Sequence, residues 1–234
     1  MSAERSIFRD GSSPSKFLGK EARDEYNRRM GCVAGFYNYL PDSDSSTKHE
    51  QGFFVLVHTS KGFENVHSSR ILIVTEEYLV IRSELKHRLT ETKEKILWLI
   101  GRIEALEKSD SQGHGGLDAS VLMAAHIQHK SRFNELMNGI DELLESAQAR
   151  IEELHSEIDV LERGLVDLSI SKKLDEISER SFEEWSNTLN EGLNSAHLEL
   201  GDLDENVKTL RSIERQYRDV FRVEILTEQR DGKP

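Results

Sequence analysis

Two histidines, His126 and His129, stand about one helical turn apart with Met123 a turn before them, so a helix would bring two imidazoles to one face. The zinc-peptidase pattern needs histidines four apart with a glutamate beside the first; here the spacing is three, and Ile127 and Gln128 intervene. Glu152-x-x-His155 matches half of a carboxylate-bridged di-iron site, which needs the motif twice plus two more inward glutamates. Leu154, an apolar seam residue, sends both side chains toward its flanks. Metal centres need three or four converging ligands, so ordinary solvated helix residues are the stronger reading. No catalytic residue, cofactor or metal ligand is assigned, and a metal- or ligand-binding bundle is kept as an alternative.

Gly113-His114-Gly115-Gly116 lacks the Lys-Ser/Thr ending and preceding strand of a phosphate loop, and reads as a linker. Cys32 has Arg28 and Arg29 nearby but no matched histidine in sequence, so a small buried residue is expected.

Binding chemistry is better represented. Arg211, Arg215, Arg218 and Arg222 are spaced four, three and four, which on a helix aligns four guanidinium groups beside Tyr217. That stripe could dock an acidic helix or an anionic surface; a charged flank paired with neighbouring glutamates is the plainer account. Phe36, Tyr37 and Tyr39, with Phe53, Phe54 and Phe63, concentrate aromatic surface in a short region. Such a group builds a small core, and any exposed part of it is a candidate partner patch.

The elements that must position these residues follow from composition. The chain has 234 residues, three prolines and nearly equal hydrophobic and charged fractions, 36% and 32%, a balance that suits long helices with narrow apolar seams. A net charge of -12 argues against phosphate-backbone binding, which lysine and arginine drive, although residues 1–30 hold seven cations against five acids. One cysteine, no signal-peptide pattern after Met1 and no apolar run near the ~20 residues of a membrane span lead us to expect a cytoplasmic or nuclear protein.

Along the chain we expect a flexible tail over 1–19 and a small α+β head over 20–75, made of a helix near 20–40 and a hairpin pairing Phe53–Val57 with Ile71–Val74. Thr75 would cap the first long helix. Long helices follow at about 76–108, 118–169 and 173–222, within a bundle spanning 76–226, and 227–234 forms a second tail. The first has a heptad seam through Leu89, Ile96 and Ile103; Asp118 would cap the second, and the seam's register breaks at 169–173, where we expect a tight turn. The fold class expected is mainly α, an elongated antiparallel helical bundle or coiled coil with a small N-terminal head. The function expected is a non-enzymatic scaffold or assembly subunit that contacts protein partners through helices and forms homo-oligomers.

Overall fold

The computed structural model describes residues 14–38, 53–111 and 119–231. Two compact units divide the chain: Met1–His87 with Leu161–Leu198, and Arg88–Val160 with Glu199–Pro234.

The first unit contains a six-stranded sheet: β1 (Glu21–Asp24), β2 (Arg29–Asn38), β3 (Phe53–Thr59), β4 (Gly62–His67), β5 (Ile71–Val74) and β6 (Tyr78–Ile81). The strands lie in the order β4-β3-β2-β1-β6-β5, antiparallel except for β1 with β6. Because β4 and β5 sit at opposite edges, a flat sheet would hold them about 24 Å apart, five strand spacings. Only Ser68–Arg70 joins them, and His67 to Ile71 spans at most about 14 Å. The sheet must therefore curl until its edges approach. Arg70, almost fully buried, fastens that closure: its Nε donates to the Arg82 carbonyl (2.9 Å) and its guanidinium reaches Glu64 on β4 (3.2 Å). Ala22, Val33, Val55, Val66, Ile71 and Leu79, one from each strand, fill the inside, and Phe17 closes it.

This replaces the helix expected at 20–40. Gly31 explains why: a Cβ there would lie 2.0 Å from the His58 carbonyl oxygen, so β2 and β3 approach only because glycine has no side chain. Asn27, at φ 67°, turns the chain between β1 and β2, and the buried Asp24 carboxylate accepts from the Tyr26 and Arg28 amides (2.9 and 2.8 Å). The expected hairpin is also corrected. Both its strands form, yet β3 pairs with β4 through a turn ending at Gly62 (φ 121°), while Ile71–Val74 lies at the far edge. Thr75 caps no helix; its hydroxyl accepts the Tyr78 amide (2.9 Å) in the turn leading to β6. Pro14–Phe17, within the tail expected over 1–19, forms a 3-10 turn, and residues 1–13 lie outside the described residues.

Three helices follow: α1 (Glu84–Ser111), α2 (Ala119–Lys173) and α3 (Glu179–Asp231). Ser83 starts α1, its hydroxyl accepting the Lys86 amide (3.3 Å) while the Glu25 carboxylate accepts the Ser83 amide (2.7 Å). The expected start at 76 is thus eight residues early, since Tyr78–Ile81 is a strand. The turn between α2 and α3 exists but falls after Lys173, not at 169–173: Asp175 takes φ 56° and the Ser178 hydroxyl caps α3 by accepting the Ser181 amide (3.1 Å). Leu174 and Ile177 therefore belong to the turn and not to a helical seam. Asp118 and the 113–116 linker lie outside the described residues, and α3 continues past 222 to Asp231.

Within the second unit, four cross-helix pairings set direction. Lys93 donates to Asn206 (2.9 Å) and Tyr217 to Glu104 (3.4 Å), so α1 and α3 run the same way. Trp98 meets His129 and Glu107 meets His126, so α2 runs against α1. The core is the expected seam: Leu89, Ile96, Ile103, Phe133, Ile140 and Leu154 are fully buried. In the first unit the two helices of 161–198 lie close enough that a Cβ at Gly164 would touch Leu189 and one at Gly192 would touch Leu161, at 3.5 and 3.4 Å. There too the Ser195 hydroxyl, buried, lies 2.8 Å from the Tyr26 carbonyl of the β1–β2 turn.

Candidate functional site

The histidines serve packing. His126 Nε2 lies 3.3 Å from Glu107, and His129 meets Trp98 edge to face with ring centroids 5.7 Å apart. Desolvation, then the nearby Arg132 and Arg102 charges, push the His129 imidazole below its ordinary pKa. Glu152 and His155 are both exposed on α2, and among the described residues no three His, Cys, Asp or Glu side chains converge as metal ligands. Cys32 is half-buried on β2 opposite His58 of β3, with the Arg29 guanidinium 3.8 Å from its sulfur.

Sheet register sorts the aromatic residues. Phe36 is half-buried between Phe17 and Phe53, both at 6.3 Å, and belongs to the core. Tyr37 is exposed on the other face, stacked on Phe54 at 5.4 Å, and Phe54 meets His67 at 5.2 Å. Phe63, two-thirds exposed, lies against His58 on β3. Tyr39 lies outside the described residues.

On α3, Arg211 and Arg215 are exposed, and Arg218 and Arg222 continue the same spacing along the helical backbone. Tyr217 is turned into the bundle, its ring 6.5 Å from Phe133, and burial followed by the Glu104 carboxylate raises its phenol pKa. The sequence reading missed the best-made polar contact of the helices. Arg150 on α2 donates from Nε and from a terminal nitrogen to the two oxygens of Glu199 on α3, both at 2.9 Å, and also reaches Glu153 at 3.0 Å. Glu199 is buried, and its hydrogen bonds hold the guanidinium more firmly charged than usual. The available signal was a glutamate three residues after Ala196 and four before Leu203, inside the seam.

Two tryptophans line open hollows. Trp98, half-exposed with Arg102 over its ring at 5.2 Å, borders one of about 380 Å³ with Lys95, Leu99, Arg132 and Leu136. Trp185 borders another of about 430 Å³ with Gly164, Leu168, Ile177 and Leu189.

Long helices with apolar seams, cross-helix ion pairs and charged outer rows define a coiled-coil protein. Residues 88–231, more than half of the chain, match the CdvA-like coiled-coil domain, and the chain belongs to that family. No curated protein and no solved structure matches it. Among the described residues no helix is long and apolar enough to cross a membrane.

Proposed function

We propose that this chain is a non-enzymatic, self-associating coiled-coil scaffold of the structural, cell-division type, acting in the cytoplasm through protein partners. One observation carries the reading. Val160, Val166, Ile170, Trp185 and Leu198 on α2 and α3, and Leu174 in the turn between them, each leave about half or more of their surface in water. Partner helices cover exposed apolar side chains of this kind in coiled-coil assemblies. The exposed Arg211 and Arg215 support a second contact for an acidic helix along the stripe to Arg222.

Light scattering during size-exclusion chromatography, repeated over a range of protein concentrations, tests self-association. Mass rising above that of one chain is expected. A constant single-chain mass overturns the self-associating part, and unchanged mass after converting the four arginines to glutamine excludes the stripe from the contact.

A further inference from the structure

Two charged rows on the second unit match each other. The fully buried line Leu89, Ile96, Ile103 fixes the rotation of α1, and the residue before each of these is a cation: Arg88, Lys95, Arg102. The buried line Leu144, Ile151, Ile158 fixes α2, and the residue after each is an acid: Glu145, Glu152, Asp159. All six are exposed. Each row repeats every seven residues, about 10.5 Å along its helix, so the spacings agree.

Most of the two rows is uncompensated among the described residues. Lys95 pairs with Glu91 on its own helix (2.7 Å) and Arg102 lies over Trp98; the other four make no ion pair among the described residues. Among the described residues no ion pair joins a residue of one row to a residue of the other, and α1 faces α2 at His126 and His129.

We propose that the basic row of α1 receives the acidic row of α2 from a second copy of this chain. Set antiparallel, Arg88 faces Asp159, Lys95 faces Glu152 and Arg102 faces Glu145. The same register brings Trp98, half-exposed at its hollow, opposite the small, exposed Ala149. Three charge pairs and one aromatic anchor thus fall into a single alignment, which is how outer charges select partner and orientation in coiled coils. A copy that offers one row to a neighbour keeps the other for the next, so the contact can repeat. This inference rests on the self-association proposed above and names its surface.

The test uses the full chain in two reversal variants, Arg88→Glu/Lys95→Glu/Arg102→Glu and Glu145→Lys/Glu152→Lys/Asp159→Lys, with helix content checked by circular dichroism. Each alone should weaken association at least tenfold, an equimolar mixture should associate, and a chain carrying all six changes should recover. If a reversal unfolds its helix, glutamine at the same three positions should show the same loss. Association of the unchanged chain that neither variant weakens, or helical variants that fail to restore it together, would overturn the row contact while leaving self-association standing. A chain that stays monomeric without any substitution removes both.

Discussion

Replacing Arg150 with methionine leaves the Glu199 carboxylate on α3 without its bidentate partner. The two hydrogen bonds of 2.9 Å are lost together, and Glu199, at 6% exposure, is too covered for water to replace them. Breaking a fully buried pair from one side costs about 3–5 kcal/mol, and a charged hydrogen bond contributes about 1.5–3 kcal/mol. The Arg150 side chain is 29% exposed, so its share is screened and the expected loss falls to about 2–3 kcal/mol. For a chain of this size that is a fall in Tm of roughly 5–10 °C, read by circular dichroism at 222 nm. Arg150→Met with Glu199→Leu should recover most of it, because an apolar pair of similar volume removes the stranded charge. Glu153→Ala, which takes away only the exposed edge of the cluster, should cost about 0.5 kcal/mol or less. A loss below about 1 kcal/mol for Arg150→Met, or a double variant no better than the single one, would refute the claim that the pair is a desolvated, specific link between α2 and α3.

Gly31→Ala should destabilise the sheet by about 2–3 kcal/mol, since the new methyl meets His58 backbone and forces β2 from β3; thermal melts check it, and an unchanged Tm would refute the close approach. Glu25 gives a pH dependence of known sign. Desolvation outweighs its bond from the Ser83 amide and raises its carboxyl pKa above 4.5, so the fold favours the protonated form. Its contribution is full below the ordinary value and is lost as pH rises through the raised one; Glu25→Gln should therefore match or exceed the unchanged chain near neutral pH, and melts across about pH 4 to 8 should show the gap closing on acidification.

The seams were readable because burial in a helix imposes one period on its sequence. Leu89, Ile96 and Ile103, seven apart, could be placed before any coordinates, and all three are fully buried. The sheet resisted because its strands are short and its defining contacts are distant. Glu21 pairs with Tyr78, and nothing local to either residue encodes that parallel pairing. Tyr26, Met30, Val33 and Phe36 imitate helical spacing, whereas Gly31 and Asn27, which decide the matter, act through a steric limit and a turn. Strand β4 was hidden by Glu64 and Asn65 between its apolar positions. The end of α2 carried legible signals in Asp175 and Ser178, which the drift of the apolar seam five residues earlier outweighed. Of the candidate surfaces, the spacing of the α3 arginines was legible, whereas the contact of Tyr217 with Phe133 was not, because a period along one helix does not reveal which neighbour a residue meets.

The place of β1 in the sheet also has a kinetic consequence. It is four residues long, lies between β2 and β6, and must wait for Tyr78–Ile81 to be made before its second edge is filled. Pairing over that separation pays a loop-closure entropy that the α2–α3 turn, joining neighbours in sequence, largely avoids. During refolding, the helical hairpin should therefore form early and the curled sheet late, with Ser195 meeting the Tyr26 carbonyl only once both are in place.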